Sequence, residues 1–427
     1  MHLSICSIFL LAAPLALSQA QLHPKHSEGN FTDSSHQETP GTDEGSSHLS
    51  IARSNTDFAL RLYYLLASES PDKNVFFSPL SISAALAMVS LGARAHTQTQ
   101  LLQGLGFNLT ELSESDIHQG FQYLLRALSI SGDKLETHMG NALFLSRRLQ
   151  LLPQFLNDTK AFYKSQVFHT NFQDPAGASQ QINDHVKKET QGKIDNLVNE
   201  LSQDTVMVLV NYIYFKALWE KPFNQARTSP QDFYVDENTT VQVPMMSQDV
   251  HHHWFLHDKY LPCSVLRMNY EGDAMAFFIL PDQGKVKQIE EILTPEMLIR
   301  WNNLLQKRDY FYRKLELYFP KFSISGSYEL DQILPKMGFQ ELFTEQANFS
   351  GIRQPDLKMS KNFHKAILEV NEVGTKAAAA TGISFTFKSF PRNPRVLRFN
   401  RPFLLVLFSA NIQSILFMGK VVDPTKP

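Results

Sequence analysis

Residues 372–389 have the composition of an exposed loop that a protease could cleave and that could also form a strand. Because successive strand side chains point to opposite faces, alternate residues fall on two faces. One face carries small and then large apolar groups: Thr375, Ala377, Ala379, Thr381, Ile383, Phe385 and Phe387. The other face is small, polar or charged, with Lys376, Ala378, Ala380, Gly382, Ser384, Thr386 and Lys388.

This segment is ambivalent between two structures. The alternation favours a half-buried strand, whereas the alanine run alone favours a helix. Gly374 supplies a flexible pivot at the start of the segment. A segment that can be either exposed coil or inserted strand suits a conformational switch. An ordinary edge strand or an exposed linker is the alternative interpretation.

Other residues that could do chemistry lack the support that a catalytic site needs. His251, His252 and His253 invite a metal-site interpretation, but neighbouring strand histidines point to opposite faces. No acidic or cysteine cluster at ligand spacing accompanies them, so we expect a solvated histidine run. The sequence has no Gly-x-Ser-x-Gly motif, P-loop or dinucleotide-binding glycine pattern. We therefore predict a protein that is not an enzyme and needs neither metal nor cofactor.

The first residues indicate the compartment. Residues 1–20 resemble a secretory signal peptide, with an apolar run from Ile5 to Leu17 and small residues at the cleavage site, although a positive amino-terminal region is missing. A buried core segment is the alternative. Cleavage would remove Cys6 and leave Cys263 alone, so no internal disulfide could form and Cys263 is expected to be buried. We predict a secreted, extracellular protein.

Residues 21–50 are rich in Ser, Thr, Gly, Glu and His, and contain few large apolar side chains. Such a stretch cannot repay its ordering entropy, so we predict a disordered tail. Asn-x-Ser/Thr sequons, together with a signal peptide, predict a glycoprotein. The sequons are at Asn30, Asn108, Asn157, Asn238 and Asn348.

Residues 51–427 must position the loop, and they read as one α+β domain. The chain has 427 residues, of which 43% are hydrophobic, so it can bury a large core. Its formal net charge of -2 gives it no global attraction to nucleic acid. No later apolar run is long enough for a membrane span. Helical periodicity covers residues 57–66 and 81–91, and Thr294-Pro295-Glu296 is a good helix start. Strand-like runs rich in branched and aromatic residues are 205–215, 274–280 and 403–408.

Several long motifs, in order, resemble the serpins, and the resemblance covers residues 50–427. Besides the loop, it rests on residues 74–81 (NVFFSPLS), 210–216 (VNYIYFK), 219–223 (WEKPF), 243–246 (VPMM), 399–403 (FNRPF) and 419–424 (GKVVDP). The resemblance, to clade A of the family, implies a serpin fold: one domain with a large central β-sheet, additional sheets, surrounding helices and an exposed reactive loop at about residues 372–398.

The resemblance also implies a suicide inhibitor of serine proteases. A protease would attack the carbonyl of Lys388, and the loop from Thr375 would then insert into the main sheet before water releases the acyl-enzyme. Counted from the hinge glutamate Glu372, the reactive bond is Lys388-Ser389, with Phe387 in the neighbouring subsite. This pair suits a trypsin-like partner such as tissue kallikrein. The hinge comprises Glu372, Gly374, Thr375, Ala377, Ala378, Ala379, Ala380 and Thr381.

Two further sites follow from the resemblance. Ser78, Ser81, Asn211 and His364 match the serpin shutter, a polar cluster where strands part to admit the loop; capped helix ends or turns are the alternative. Basic residues beyond the helix that starts at Thr294 suggest a heparin site, with a solvated charged face as the rival interpretation. These residues are Lys307, Arg308, Arg313 and Lys314.

Two other functions remain open for a member of this family. One is a non-inhibitory carrier of a hydrophobic hormone, whose pocket residues cannot be told from core in one sequence. The other is a serpin that proteases cleave as a mere substrate. The small residues of the hinge favour inhibition over both. We expect a monomer.

Overall fold

A computed structural model describes residues 44–129, 135–353, 357–374 and 395–427. The helices of this part are α1 Glu44–Glu69, α2 Pro79–Ser90, α3 Ala95–Gly104, α4 Glu114–Ser129, α5 Pro153–Tyr163, α6 Pro175–Glu189, α7 Val286–Ile292, α8 Pro295–Leu304, α9 Arg308–Phe311 and α10 Leu330–Ile333. Short 3-10 helices cover Gln225–Arg227, Leu334–Met337 and Glu341–Phe343. Within these ranges, no helix has the length and apolar character of a membrane span.

The strands are β1 Val75–Phe77, β2 Leu135–Ser146, β3 Gln166–Thr170, β4 Met207–Ala217, β5 Ser229–Tyr234, β6 Thr240–His257, β7 Cys263–Asn269, β8 Ala274–Pro281, β9 Tyr312–Pro320, β10 Phe322–Glu329, β11 Lys361–Val370, β12 Val396–Arg398, β13 Phe403–Ser409 and β14 Ser414–Val421. They form two sheets. A five-stranded mixed sheet has the order β10-β11-β4-β2-β3. A nine-stranded sheet follows β1-β14-β13-β8-β7-β6-β9-β12, with β5 paired to β6.

The five-stranded sheet is covered on both faces. Every residue of α2 is buried, and this helix packs against β2 and β4. A second apolar cluster forms around α6, with Ile182 and Val186 packed among residues of β2, β4 and β11. Burial on both faces explains why β4 reads as a near-continuous apolar run rather than an alternating one. The sheet that holds the candidate site is therefore a buried layer between helices.

Local sequence signals account for several helix starts. Thr294 caps α8 by accepting a hydrogen bond from the Met297 N–H, and Pro295 occupies the first turn, as the sequence predicts. The predicted helices at 57–66 and 81–91 lie within α1 and α2, apart from the final residue, Leu91, which caps α2. The predicted strands at 205–215, 274–280 and 403–408 correspond to β4, β8 and β13.

One predicted boundary is wrong. Residues 44–50 were assigned to the disordered tail, but they form the first turns of α1. The buried side chains of Ile51, Phe58 and Leu62 anchor this helix to the core. Once core contacts hold a helix in place, adding one more residue to its end costs little free energy. Polar residues can therefore extend α1 towards the amino terminus. Residues 43–427 form one compact unit by their contacts.

Candidate functional site

The loop joins the two sheets. Strand β11 ends at Val370, the described chain continues to Gly374, and it resumes at Arg395 just before β12. Strand β12 pairs in parallel with β9 of the nine-stranded sheet. Residues 375–394 therefore connect the five-stranded sheet to the nine-stranded one. The predicted loop residues Thr375, Ala377, Ala378, Ala379, Ala380, Thr381, Phe387, Lys388 and Ser389 lie outside the described residues.

Strands β4 and β11 are direct neighbours. They pair in parallel, from Lys361 opposite Val208 to Ile367 opposite Tyr214. Both strands continue beyond the last pair, to Ala217 and Val370 respectively, without pairing to each other. The two strands therefore part at the end that leads into the hinge. A segment that turned back after Gly374 would run antiparallel to both, and so could hydrogen-bond to each of them.

Glu372 is held at this open end. It is 5% exposed, and its carboxylate accepts hydrogen bonds from Thr228 Oγ1 (2.8 Å) and Lys321 Nζ (3.1 Å). Its backbone carbonyl accepts from the Phe223 N–H (2.7 Å). Burial opposes ionisation, but the hydrogen bonds and the charge of Lys321 lower the pKa of Glu372 overall. Glu372 is therefore an ionised anchor for the start of the loop.

Trp219 fixes the residues on either side of Glu372. Its backbone N–H donates to the Val373 carbonyl (2.9 Å), and its indole Nε1–H donates to the Asn371 carbonyl (3.0 Å). The indole ring stacks on buried Tyr270 with 4.2 Å between ring centroids. Because Trp219 is 1% exposed, the hinge is bonded directly to a rigid part of the core.

Gly374 is packed rather than freely pivoting. Its φ angle is 150°, and a Cβ atom placed there would lie 2.1 Å from the Ala217 carbonyl oxygen. The residue also forms an antiparallel bridge with Leu218. The sequence predicts a glycine pivot, and the structure gives this glycine a second role, which is close approach to the end of β4.

The four predicted shutter residues lie together below the junction of β4 and β11. His364 Nε2 accepts a hydrogen bond from the Ser78 N–H (3.1 Å), and His364 Nδ1 is hydrogen-bonded to the side-chain Oδ1 of Asn211. Asn211 Nδ2 donates to the Ser81 carbonyl (3.0 Å). Ser78 also caps α2 by accepting from the Ser81 N–H. The cluster therefore ties β4, β11 and α2 to one another.

Hydrogen bonding fixes the state of His364. A backbone N–H can only donate, so Nε2 must be unprotonated and Nδ1 must carry the proton that it shares with Asn211. Complete burial lowers the pKa of His364 to about 3, because the charged imidazolium would lose its hydration. The shutter cluster is therefore electrically neutral near neutral pH.

Two lysine contacts join this sheet to the segment that follows α6. Lys193 Nζ donates to Glu369 of β11 (2.9 Å), and Lys365 of β11 donates to the Asn196 carbonyl (2.8 Å). Tyr214 of β4 lies under Lys193, 5.5 Å from its ring centroid. The segment thus crosses the join between β4 and β11 and contacts both strands.

The four predicted heparin-site residues are exposed and lie near one another in the chain. Lys307 and Arg308 start α9, just beyond α8, and Arg313 and Lys314 lie at the start of β9. Strand β9 pairs with β6, which places Lys314 opposite His252 and Arg313 opposite His253. Aromatic and cationic groups surround this pairing.

The prediction of a solvated histidine run is wrong for His253. His251 and His252 are exposed, whereas His253 is only 6% exposed. Burial, with the nearby charge of Lys221, lowers the pKa of His253 to about 3. Among the described residues, no group of three or more His, Cys, Asp or Glu could hold a metal ion.

The remaining predicted residues are mostly on the surface. The sequons at Asn108, Asn157 and Asn238 are exposed, Asn348 is half-buried, and Asn30 lies outside the described residues. Cys263 is fully buried, and burial raises the pKa of its thiol to about 12. A thiol in that state is a poor nucleophile, so Cys263 acts as a small core residue.

Comparison with known proteins identifies the family. The family model for serpins (serine protease inhibitors) matches residues 53–424. The chain is a serpin. Kallistatin from Homo sapiens is 64% identical over 428 residues, covering 100% of both proteins. The serpin fold, clade A relatives and serine protease inhibitor class expected from the sequence are thereby confirmed.

Solved structures agree with this assignment. A crystal structure of human glycosylated kallistatin matches this serpin with a TM-score of 0.85, at 64% identity, over 90% of this chain and 100% of that one. A structure of cleaved kallistatin complexed with heparin matches with a TM-score of 0.74, at 67% identity, over 77% of this chain and 96% of that one.

Several residues of the site were not predicted from the sequence. Asn141 lies on β2 directly opposite Asn211 and accepts a hydrogen bond from it, which extends the shutter cluster to a third strand. Thr228 and Lys321 bind the Glu372 carboxylate from distant parts of the chain. A buried asparagine within an apolar strand was a usable signal for Asn141. Nothing in the sequence pattern pointed to Thr228 or Lys321.

Proposed function

We propose that this serpin traps a trypsin-like serine protease as a covalent complex by inserting its loop between β4 and β11. The observation that carries the proposal is the adjacency of these two parallel strands, which part at the hinge end. An inserted segment would form antiparallel ladders with both neighbours in place of one parallel ladder. The new hydrogen bonds and the burial of alternate apolar side chains would drive insertion.

The chemical step would take place at Lys388-Ser389. The protease serine hydroxyl would attack the Lys388 carbonyl, and the bond to the Ser389 nitrogen would break. The proton taken from the hydroxyl would be delivered to that nitrogen, which leaves as a free amine. The protease would then be held as an ester on Lys388. For the protease to stay trapped, insertion would have to be faster than hydrolysis of this ester by water.

Lys388 and Phe387 also define the target. A lysine at the cleaved bond fits a specificity pocket that carries a buried aspartate. Phe387 would fill the neighbouring subsite, and this combination suits tissue kallikrein. We further propose a secreted glycoprotein, consistent with the signal-like residues 1–20 and with sequons on the exposed surface.

A glycosaminoglycan site is the second part of the proposal. The exposed cations Lys307, Arg308, Arg313 and Lys314 support heparin binding, as does the heparin complex of the similar protein kallistatin. Neutralising all four should lower the salt concentration at which the protein elutes from immobilised heparin, because salt screens exposed charge contacts. Unchanged elution would remove the site from this surface.

The inhibitor proposal is tested by incubating the purified protein with tissue kallikrein and with trypsin, followed by denaturing electrophoresis. A covalent adduct that survives boiling is expected, with mass spectrometry placing the cut after Lys388. Cleavage without an adduct would make the protein a substrate rather than an inhibitor. Titration with thyroxine and cortisol in the same preparation tests the carrier alternative, for which no binding is expected.

A further inference from the structure

A basic and aromatic surface surrounds Tyr312, and it draws on three separate parts of the chain. His252 of β6 stacks on Tyr312 with 5.1 Å between ring centroids and lies opposite Lys314. Lys221, from the segment after β4, lies 4.8 Å from the Tyr312 centroid, and Arg308 of α9 lies 4.7 Å from it. We call Lys221, His252, Arg308, Tyr312 and Lys314 the Tyr312 face.

Strand geometry separates Arg313 from this face. Tyr312 and Lys314 point to one side of β9, and Arg313 points to the other, with its paired residue His253 buried. Lys221 instead bonds directly to the Tyr312 hydroxyl and donates to the His252 carbonyl (3.3 Å). Lys221 is thus a member of this surface although it is distant from Lys314 in sequence.

Cations adjoin Tyr312, the ring on which His252 stacks. Lys221, Arg308 and Lys314 adjoin Tyr312, and Arg267 of β7 lies over the neighbouring Trp254. Glu220 lines the same cavity as His252, and its carboxylate accepts a hydrogen bond from Asn269. Farther along β6, Asp249 is ion-paired with Arg227. The Tyr312 face is therefore a concentration of positive charge, and a polyanion bound there would bring negative charge close to His252.

The face suits an extended polyanion rather than a small enclosed ligand. The cavity beside it, lined by Glu220, Gln248 and His253, has a volume of only about 30 Å³. That is room for a water molecule, not for a sugar. Sulfate groups spaced along a polysaccharide could instead reach Lys221, Arg308 and Lys314, which are exposed at the surface.

We propose that the glycosaminoglycan-binding surface includes Lys221 and His252, and that protonation of His252 makes its affinity for sulfated polysaccharide rise as the pH falls from neutral to mildly acidic. The proposal rests on the heparin-binding function proposed above. A bound polyanion offsets the surrounding cations and so favours the imidazolium. By linkage, binding takes up a proton, and acidification must therefore strengthen binding.

The experiment measures dissociation constants at about pH 5.5 and about pH 7.5. The probe is dextran sulfate, whose sulfates stay ionised at both values and which has no carboxylates to titrate. Wild type is compared with His252→Gln and with His257→Gln, an exposed histidine at the carboxyl end of β6. Lys221→Gln is compared with Lys287→Gln, an exposed lysine on α7. Thermal unfolding checks that each variant is folded.

Wild type and His257→Gln should bind about two- to five-fold more tightly at the lower pH, the effect of one added exposed charge contact. His252→Gln should lose that difference and match wild type at the higher pH. Lys221→Gln should weaken the binding of dextran sulfate at both pH values. Lys287→Gln should leave that binding unchanged.

Two results would overturn the proposal. One is wild-type binding that does not change with pH. The other is a pH response that survives in His252→Gln. Either result would leave heparin binding itself intact. Absence of wild-type binding at both pH values would overturn this proposal together with the heparin site.

Discussion

At the scale of single residues, the hinge depends on groups with little freedom. Glu372 is buried, ionised and bonded to Thr228 and Lys321, so its interactions contribute to native stability above the pKa of an unfolded glutamate. That contribution is lost as the pH falls through the lower, folded-state pKa. The next constraint along the chain is Gly374, where backbone from β4 occupies the place of a side chain.

Gly374→Ala should release the hinge from the end of β4. The added Cβ would meet the Ala217 carbonyl oxygen at 2.1 Å, and the residue has a φ of 150° that alanine rarely adopts. We expect a loss of about 2–4 kcal/mol of native stability, from backbone strain and overpacking together. The measurements are thermal unfolding and proteolysis near residues 371–374.

Gly192→Ala is the matched control for that experiment. Gly192 also has a positive φ, 79°, but no atom lies within 4 Å of the place where its Cβ would be. In Gly192→Ala, backbone strain alone should lower the native stability by about 1–2 kcal/mol. Equal losses in the two variants would show that the contact with β4 does not restrain the hinge.

Lys388 is expected to set target choice. Lys388→Asp should abolish covalent complexes with trypsin-like proteases, because a second carboxylate would face the aspartate of their specificity pocket. Arg392→Asp is the control, since it changes a cation farther along the same loop. Complex formation is read on denaturing gels. Complexes that persist in Lys388→Asp but disappear in Arg392→Asp would move the reactive bond to Arg392.

The sequence predicted residues of the site to different extents. Ser78 and Asn211 stand in long motifs, so their positions could be predicted before their hydrogen bonds to His364 were known. Asn141 and Lys321 could not be predicted in the same way. Their partners are set by strand register and by the approach of distant segments, as in the pairing of Asn141 with Asn211. No local pattern encodes those contacts.

At the scale of elements, β4 and β11 are paired with each other in this structure, and the proposed insertion would have to separate them. Two lysine contacts join the segment after α6 to β11: Lys193 of that segment binds Glu369, and Lys365 of β11 binds the Asn196 carbonyl. These exposed contacts are individually weak, so the segment can move aside without a large loss of stability. The buried shutter cluster below them is the stronger tie.

Thr375→Arg tests insertion itself. Alternation places Thr375 as the first inward-facing residue of the loop, so an arginine there would have to enter the sheet. An unpaired buried charge costs several kcal/mol. The burial of Ile383, Phe385 and Phe387 would contribute about 1.5–3 kcal/mol each in favour of insertion, but only after Thr375 has entered the sheet. The protease should cut the variant after Lys388 and escape active. We expect residual protease activity and little adduct on gels.

Lys376→Arg provides the comparison for that variant. Alternation places this neighbour on the outward face, where its charge stays in water, so trapping should match wild type. Wild-type stoichiometry in Thr375→Arg would mean that the loop does not enter from this hinge.

Element boundaries were harder to predict than element types. Thr294, Pro295 and Glu296 specify the start of α8 locally, and the structure begins α8 there. The start of α1 depends instead on the core contacts of Ile51 and Phe58, which hold a helix that polar residues then extend. Likewise, alternation places His251 and His253 on the same face of β6, but it could not show that His253 is buried while His251 is exposed.

At the scale of the whole molecule, buried neutral histidines set the response to acid. The pKa of His364 is about 3 in the folded protein, against about 6.5 for an unfolded histidine. Between these values the unfolded chain binds more protons, so stability falls as the pH falls. The slope is at most about 1.4 kcal/mol per pH unit for one such group, and His253 adds a slope of the same sign.

Thermal unfolding midpoints between about pH 7.5 and about pH 5 check this expectation. His364→Gln should start from a lower midpoint, because the shutter bonds are disturbed, and should then fall less steeply with acid. His257→Gln, which changes an exposed histidine, should keep the wild-type slope. A His364→Gln slope equal to that of wild type would show that another group controls the acid response.

The placement of the tryptophans makes the protein its own optical probe. All three lie in described positions: Trp219 bonds to the hinge, Trp254 lies under Arg267 near Tyr312, and Trp301 bonds to buried Asp258. Departure of the hinge would remove the carbonyl from the Trp219 indole, and a polyanion would change the field around Trp254. Fluorescence of Trp254→Phe and Trp219→Phe variants would therefore separate loop movement from polysaccharide binding in real time, without any attached dye.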